Sequence, residues 1–383
     1  MREVYLDHAA TTPPYPEVLK ALQESYATIY GNASSLHATG QKARRALEKA
    51  REDIAKLIDA EPEEVYITSG GTESDNIALF GTEALYPGQP MITSLIEHEA
   101  VLESAKALES KGHPVRFLPV DTNGVVDLNA LKAYLEEKPF LVSVMAANNE
   151  IGTVQPIKEI AKLAHERGAL VHTDAVQAVG KIPINVRELG VDMLSASAHK
   201  FYGPKGIGFF YLRKGVKVLP IVQGGGHERG LRSGTENVPG AIAMALALKI
   251  STRLFTRTHY RYERWTAQIL SKCGEIGGFR LNGHPQQRVP GLLSLSFKRI
   301  NGEALMELLD MNGVAVSTAS ACQSHSAKRG YSHVIQSLGI DEEYANGTIR
   351  VSLGVENVQE EVDFFCEILK KCVLQLRGYR NGQ

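Results

Sequence analysis

The chain has 383 residues, of which 43% are hydrophobic and 22% are charged, so it can bury a large core. Its 42 basic residues are matched by 43 acidic ones, and the formal net charge is −1. This balance gives no polycationic surface, so direct binding of a nucleic acid by charge alone is not expected. The composition is that of a globular protein with room for two domains.

Two further features of the composition concern location and redox chemistry. The first residues, MREVYLDHAA, contain acidic side chains and lack the apolar stretch of a secretory signal. No apolar run approaches the roughly 18 residues of a membrane span, so we expect a cytoplasmic protein without membrane contact. The four cysteines, at positions 273, 322, 366 and 372, form no CxxC pair, and neither a disulfide framework nor a metal site is indicated.

Short apolar runs alternate with helical patterns through the first 250 residues. The runs predict strands at 65–68, 91–94, 114–120, 141–145, 170–172 and 192–194. Between two of them, Pro156 opens and Gly168 closes a segment with apolar residues on one helical face, which predicts a crossover helix. Such alternation is typical of a mainly parallel sheet wrapped by helices.

The pattern changes after residue 200. The stretch FYGPKGIGFFYLR predicts two short strands around glycines, and a Gly-rich loop and a helix over about 239–254 follow. From about residue 256, a second helix around Trp265, strands at 292–296, 314–316 and 349–352, a helix from Gly302 and a final helix predict an α+β unit. We therefore assign 13–255 to a large domain, and 1–12 with 256–383 to a small one.

Ligands of α/β sheets collect at the carboxyl ends of strands, and polar residues follow several of the predicted strands. After strand 65–68, Gly71 allows close backbone approach and Thr72 adds a hydroxyl at a helix start, which suits a phosphate as well as an ordinary capped turn. Later strands are followed by His98, by Asn149, by Asp174 and Gln177, and by Ser197, His199 and Lys200.

Each of these residues alone has an ordinary structural explanation, such as a helix cap for Asp174 or a solvated loop for Lys200. Together they supply a phosphate cradle, a ring-stacking group, a carboxylate and a lysine at one sheet edge. Pyridoxal phosphate needs each of them, because its lysine forms the Schiff base and its carboxylate partner holds the pyridinium nitrogen. We therefore predict a pyridoxal 5′-phosphate site with Lys200 as the covalent attachment point.

Motifs along nearly the whole chain support this interpretation. They are YLDHAATT, GNASSLHATG, ITSGGTESDN, EHEAV, NNEIGTVQPI, HTDAVQA, SASAHKFYGPKGIG, GGGHERGLRSGTEN, SACQSH and IRVSLG. In this order they resemble the cysteine desulfurases, the NifS/IscS-like family of fold-type I pyridoxal phosphate enzymes. The resemblance implies an α/β fold, with a mainly parallel seven-stranded sheet in the large domain and a smaller α+β domain.

The resemblance also implies roles for individual residues. Lys200 would bond the cofactor, Asp174 would bind the pyridine nitrogen, Gln177 would contact the ring hydroxyl, and His98 would stack on the ring. The phosphate would be held by Thr72 in the loop that contains Gly71, by Ser197 and His199, and by Thr235 from the second subunit of a homodimer. Asn149 and Arg350 would face the substrate, with Arg350 as a bidentate partner for its carboxylate.

The implied reaction converts L-cysteine to L-alanine and leaves the sulfur on Cys322 as a persulfide, with His98 as a candidate base. A sulfur-acceptor protein, either a scaffold or a sulfurtransferase, would then receive the sulfur for iron–sulfur clusters, another thio-cofactor or tRNA. Cys322 lies among small polar residues, where exposure and disorder are expected, whereas Cys273, Cys366 and Cys372 are expected to be packing residues.

The chain departs from the family pattern at two places, and other functions remain open. It has His8 where the family often has Asn, and the segment 317–334 lacks the usual proline before Ser332, which leaves the sulfur acceptor open. An aminotransferase or a selenocysteine lyase is the nearest alternative, although an aminotransferase has no need of the SAC loop. A non-catalytic sulfur-carrier scaffold would not need Lys200, Asp174 and Arg350 together.

Overall fold

The computed structural model of the chain describes residues 3–318 and 331–380. The strands of this part are β1 Val4–Tyr5, β2 Val65–Thr68, β3 Met91–Ser94, β4 Val115–Leu118, β5 Leu141–Ser143, β6 Leu170–Asp174, β7 Met193–Ser197, β8 Gly208–Leu212, β9 Phe279–Asn282, β10 Leu292–Phe297, β11 Val314–Ala315, β12 Ser317–Thr318 and β13 Thr348–Ser352. The helices are α1 Pro16–Thr28, α2 Ala38–Ile58, α3 Gly71–Glu83, α4 Glu99–Ser110, α5 Leu128–Leu135, α6 Ile157–His165, α7 Val186–Leu189, α8 Val238–Ile276, α9 Gly302–Met311, α10 His333–Ser337, α11 Glu342–Ala345 and α12 Gln359–Arg380.

The larger sheet has seven strands in the order β2-β8-β7-β6-β5-β3-β4. Strand β8 runs antiparallel to both of its neighbours, and the other pairs are parallel. Both faces are covered by helices, so strands such as β7 and β8 are buried along their whole length. The predicted mainly parallel seven-stranded sheet is confirmed.

The stretch between β7 and β8 forms a turn where we predicted a first short strand. The backbone N–H groups of Phe201 and Gly203 both donate to the carbonyl oxygen of Ala198, at 3.1 and 2.9 Å. These bonds use the donors that a ladder would need, so the prediction of two strands in FYGPKGIGFFYLR was wrong and only β8 forms. The turn directs Lys200 away from the sheet.

A single helix, α8, replaces the two helices predicted between residues 239 and 276. The polar stretch from Thr256 to Arg264 contains no glycine or proline, so nothing in it ends a helix. By length and composition alone α8 could cross a membrane. Its first half packs in the core around the large sheet, however, and Trp265 in its second half packs in another core, as expected of a buried core helix.

A second hydrophobic core surrounds the four-stranded sheet β12-β13-β10-β9. Trp265, Phe297 and Phe365 are among its buried members, and Val4 and Leu6 from the start of the chain join them. Strand β1 pairs in parallel with β11, which ties the first residues to this region. The predicted division into domains at residues 12 and 255 stays a prediction.

The residues that follow β1 connect this second region to the large sheet. We call residues 5–12 the N-terminal segment. Its Ala9 N–H donates to Ser352 Oγ at 2.8 Å on one side, and Thr12 Oγ1 donates to the carbonyl oxygen of His199 at 2.8 Å on the other. Tyr202 N–H in turn donates to Thr12 Oγ1 at 2.8 Å. The segment therefore lies directly against the turn that carries Lys200.

Candidate active site

A cavity of about 670 Å³ opens where the carboxyl ends of the large sheet meet the N-terminal segment and β13. It is lined by most of the residues that the sequence singled out: Gly71, Thr72, His98, Asn149, Asp174, Gln177, Ser197, His199, Lys200 and Arg350. Its size is typical of small-molecule sites.

Two predicted site residues are not part of this cavity in the described chain. Thr235 lies in the exposed loop between β8 and α8 and does not line it. Cys322 lies outside the described residues, so its position and the disorder expected around it stay predictions. Ser317, near the end of the first described range, lines the cavity. The remaining cysteines, Cys273, Cys366 and Cys372, are buried in the second core, which confirms them as packing residues.

The junction between β2 and α3 has the geometry of an anion cradle. A Cβ atom on Gly71 would lie 2.6 Å from Val176 Cγ2, so only glycine allows this close approach. Ser197, at the end of β7, is adjacent, since its Oγ lies 3.5 Å from the position of a Cβ on Gly70. The first turn of α3 supplies backbone N–H groups that the helix itself does not use. Thr72 is exposed at this turn.

Lys200 ends a short 3₁₀ turn that continues from β7. Its Nζ donates to the carbonyl oxygens of Ala9 and Ala10 at 2.9 and 2.7 Å. His199 beside it contacts Thr11, with 3.1 Å between Nδ1 and Oγ1, and burial followed by the charge of Lys200 lowers the pKa of His199 to about 4. Two backbone carbonyls of the N-terminal segment thus hold the amine of Lys200 in the cavity.

Asp174, at the end of β6, is a buried carboxylate that accepts a hydrogen bond from Val176 N–H at 2.9 Å. Burial raises its pKa, and the nearby His98 and Lys200 oppose this shift. Asp75 on α3 is also buried, and burial together with the charge of Asp174 raises the pKa of Asp75 well above its usual value. Two neighbouring buried carboxyls do not both ionise easily. A positively charged partner in the cavity would offset this cost and stabilise the ionised form of Asp174.

His172 lies behind Asp174 and supplies no counter-charge. Its Nδ1 lies 2.8 Å from Ser143 Oγ and its Nε2 3.0 Å from Ser195 Oγ. Burial lowers the pKa of His172 to about 3, so its imidazole is neutral. His98 is the N-cap of α4, where its Nδ1 accepts from Ala100 N–H at 3.1 Å. This bond fixes the ring, and in the neutral form it leaves the proton on Nε2.

The guanidinium of Arg350 on β13 forms the other end of the cavity. Its Nη2 lies 2.8 Å from Asp7 Oδ1, and its Nη1 donates to the carbonyl oxygen of Asn149 at 3.0 Å. Its Nε is buried and has no hydrogen-bond partner within residues 3–318 and 331–380. Arg350 is therefore held from two sides with donor capacity left over, which suits the binding of a small carboxylate.

Sequence reasoning missed four contributors to this site. Asp7, Ala9 and Ala10 belong to the motif YLDHAATT, but no role followed for them from the motif. The half-buried Lys181, beside Gln177, was also missed. The position of Lys181 four residues after Gln177 was the available signal, whereas a backbone carbonyl leaves no signal in a sequence.

The whole chain is similar to a family of known enzymes. The family model for class-V aminotransferases matches residues 4–365. A cysteine desulfurase, IscS, from Dictyoglomus turgidum is 44% identical over 379 residues, which cover 98% of this chain and 96% of the relative. The IscS cysteine desulfurase of Methanosarcina thermophila is 42% identical, covering 98% and 93%. The chain therefore belongs to the class-V aminotransferase family.

Solved structures agree with the sequence relatives. A NifS-like protein superposes with a TM-score of 0.92 at 40% identity, covering 98% of this chain and all of the other. An apo cysteine desulfurase from Thermococcus onnurineus superposes with a TM-score of 0.87 at 26% identity, covering 98% of this chain and 95% of the other. Within the class-V family, this chain is a member of the cysteine desulfurase group.

Enzymes of this family depend on pyridoxal 5′-phosphate, and the cavity fits this cofactor. The cradle around Gly71 is formed by backbone N–H groups, as a phosphate requires. The buried Asp174 favours a cationic partner, as a protonated pyridine nitrogen is. Lys200 lines the same cavity, and its amine is the type of group that bonds the aldehyde of this cofactor.

Proposed function

We propose that this protein is a pyridoxal phosphate-dependent cysteine desulfurase that uses Cys322 to carry the sulfur of L-cysteine to an acceptor protein. The observation that carries this proposal is the meeting of Lys200, Asp174 and Arg350 in one cavity. The relatives are named cysteine desulfurases, and a protein named SspA, solved in complex with cysteine, superposes with a TM-score of 0.80 at 32% identity. L-cysteine is therefore the substrate that we assign.

The cofactor would be held at three places by residues of this chain. The first turn of α3 with Thr72, Ser197 and His199 would bind its phosphate, Asp174 its ring nitrogen, and Gln177 its ring oxygen. His98 would cover the ring. When bound, the cofactor withdraws electrons from the α-carbon of the joined amino acid, which makes the α-proton acidic.

Lys200 is the group placed to move that proton. Its Nζ is held by the carbonyl oxygens of Ala9 and Ala10, so the amine released from the cofactor stays in the cavity as a base. Arg350 would bind the substrate carboxylate through its remaining donors, while Asp7 and Asn149 keep its guanidinium in place. The substrate is then fixed at both its amino and its carboxylate end.

Sulfur transfer requires a thiolate that can enter the cavity, and Cys322 is the cysteine that we assign. Its thiolate attacks the substrate sulfur, the bond between Cβ and sulfur breaks, and the electron pair goes to the carbon skeleton, which takes up protons to become alanine. The prediction of His98 as the base for the thiol requires its ring to release the bond from Ala100 N–H, because Nε2 of the neutral ring already carries the proton. Burial raises the pKa of Cys273 to about 12 and that of Cys366 to about 11, so neither supplies a thiolate at neutral pH.

We propose in addition that the enzyme works as a homodimer in the cytoplasm. Thr235 lies exposed on its loop, where a second subunit could receive it at the phosphate. The loop is anchored by a buried bidentate pair between Arg51 and Glu228, with N–O distances of 2.8 and 2.9 Å. Mixing Lys200→Ala and Thr235→Ala subunits tests this, because shared sites would return partial activity in the heterodimer.

Product analysis with L-cysteine tests the function itself. We expect alanine and, with a thiol reductant, sulfide in equal amounts, without any need for a 2-oxo acid. Lys200→Ala should form neither product, and Cys322→Ser should still bind L-cysteine but form almost no alanine. Formation of alanine that depends on a 2-oxo acid, or unchanged alanine formation by Cys322→Ser, would favour the aminotransferase or lyase alternative.

A further inference from the structure

The side chain of Gln177 is held by two partners of opposite hydrogen-bonding character. Its Oε1 accepts from Lys181 Nζ at 2.5 Å, and its Nε2 donates to the carbonyl oxygen of Ala9 at 2.8 Å. Gln177 is only 3% exposed and lines the cavity. Its amide is therefore immobilised at the wall of the active site, by one residue of the same turn and one of the N-terminal segment.

These two partners settle which way the amide faces. Lys181 offers protons, and the Ala9 carbonyl offers only lone pairs, so a flipped amide would place Gln177 Oε1 against the Ala9 oxygen. The flip would break the bond to Ala9 and add a repulsion between two oxygens, and with a protonated Lys181 it would break the second bond as well. In the orientation that remains, Oε1 is occupied by Lys181, and one Nε2 proton is left for a group in the cavity.

We propose that Lys181 is a positioning residue for the cofactor: by donating to Gln177 Oε1, it makes Gln177 present an N–H, and not a carbonyl, to the ring oxygen of bound pyridoxal phosphate. This inference rests on the proposed function and on the contact of Gln177 with that oxygen. An N–H donor stabilises the ionised form of the ring oxygen, whereas an amide carbonyl would destabilise it.

The surroundings of Lys181 indicate that it serves as a donor and not as a charge. Burial, followed by the positive charges of Lys200 and Arg350, lowers its pKa well below the usual range. On its other side lies a small cavity of about 50 Å³, shared with His8 and Tyr202, and burial lowers the pKa of His8 to about 4. Among the residues that the structure describes, no carboxylate opposes this shift in the pKa of Lys181. In its neutral form the amine keeps N–H donors for Gln177 Oε1 but also has a lone pair, and the Ala9 carbonyl is then the partner that excludes the flipped amide.

A double-mutant cycle on the holoenzyme tests the inference. The variants are Lys181→Met, Gln177→Ala and the double variant, with Lys181→Arg as the donor-retaining variant. The readouts are the pH midpoint of the visible absorbance of the bound cofactor and the cofactor dissociation constant. Lys181→Met should shift the midpoint by about half to one pH unit in the same direction as Gln177→Ala, as expected for one hydrogen bond.

The double variant should match Gln177→Ala alone, because Lys181 acts through the amide. Lys181→Arg should stay near the wild-type midpoint. Lys205→Met controls for charge, since Lys205 also lines the cavity but is exposed, and the Gln177 side chain bonds to Lys181 and Ala9 instead. Should Lys181→Met not fold, Lys181→Leu takes its place in the cycle.

Additive shifts in the double variant, an equal shift in Lys205→Met, or no shift in Lys181→Met would overturn the inference, because Lys181 would then act by charge or not at all. The proposed function fails in a different way. A wild-type protein that takes up no coloured cofactor would refute the function, whereas wild-type colour with additive effects refutes only the role of Lys181.

Discussion

Two regions of the molecule form the active site, and they are held in place by different forces. The edge of the large sheet, with Asp174 and Ser197, grows out of strands that are buried on both faces and fixed by a continuous ladder. The N-terminal segment begins in the two-residue strand β1 and packs Leu6 in the second core, and toward the large sheet it is attached by individual polar contacts such as those of Thr12. The edge supplies side chains for the chemistry, whereas the segment supplies backbone carbonyls and Asp7.

The difference teaches which part of the site is rigid by packing and which part by hydrogen bonds. Loss of a hydrogen bond in the N-terminal segment should misplace side chains at the edge of the large sheet without unfolding that sheet. Loss of a side chain at the edge should remove a chemical step while the segment stays in place. Each prediction below changes one region and reads the effect on the other.

The largest effect is expected at the sheet edge, for Lys200→Ala. Alanine formation should fall by at least about 10⁴-fold, since both the covalent attachment and the proton-transfer group are lost. The visible colour of the covalently held cofactor should disappear, while the unfolding midpoint stays near that of the apo wild type. Lys205→Ala at the rim is the matched control. A Lys200→Ala variant within tenfold of the wild-type rate would contradict the assignment.

A smaller effect is expected in the segment, for Asp7→Ala. Arg350 then keeps Asn149 as its holder but loses the contact at 2.8 Å to Asp7, so its guanidinium can move relative to the substrate. We expect a fall in kcat/KM for L-cysteine of about 10- to 100-fold, as for small misplacements of binding groups. Asp7→Asn keeps an oxygen acceptor and should retain most of the activity. If Asp7→Asn loses as much as Asp7→Ala, charge and not orientation is the contribution of Asp7.

The attachment of the segment is tested by Thr12→Val, which has nearly the same shape. Removal of Oγ1 leaves Tyr202 N–H without its partner at 2.8 Å, whereas the His199 carbonyl still accepts from the backbone N–H of residue 12 at 2.9 Å. A buried donor left unpaired costs about 1–3 kcal/mol of unfolding free energy, measured by urea at fixed protein concentration. Thr28→Val, at an exposed helix end, should change it by less than about 0.5 kcal/mol. A neutral Thr12→Val would show that packing alone holds the segment.

The last effect concerns pH, at Glu97 beneath the sheet edge. Burial raises the pKa of Glu97 to about 8, and Met145 N–H donates to its Oε1 at 3.0 Å. The folded state therefore keeps a proton that the unfolded chain has lost, and this stabilisation is complete below the unfolded pKa of about 4.3 and is lost as pH rises through about 8.

Glu97→Gln should remove this pH dependence. Between about pH 5 and 8, the unfolding free energy of the wild type should fall by up to about 1.4 kcal/mol per pH unit more than that of Glu97→Gln. Urea unfolding at three pH values measures the difference. Identical slopes for both proteins would mean that Glu97 is already ionised in the folded state.

The two regions also differ in how well the sequence predicts them. Strands β2, β3 and β10 and the residues after strand ends, such as Asp174 and Lys200, follow from local apolar patterns that reach only a few residues along the chain. The contacts of Lys200 with Ala9 and Ala10 join positions that are about 190 residues apart through backbone atoms common to every residue. No local pattern carries that information.

Helix α8 was mispredicted for a related reason. Its middle is polar because it crosses from one core to the other, and a polar stretch without periodic apolar residues looks like a linker. The role of Thr235 and the position of Cys322 stay predictions, since the first depends on a second subunit and the second lies outside the described residues.

Mass spectrometry of the holoenzyme after brief exposure to L-cysteine tests the central claim, that this cavity delivers sulfur to Cys322. The peptide that contains Cys322 should gain one sulfur atom, in step with the alanine released, and the gain should vanish in Lys200→Ala and in Cys322→Ser. The peptides of Cys273, Cys366 and Cys372 should stay unmodified, because these thiols are buried and protonated. Added sulfur on one of those three cysteines, or alanine without any sulfur on Cys322, would contradict the account.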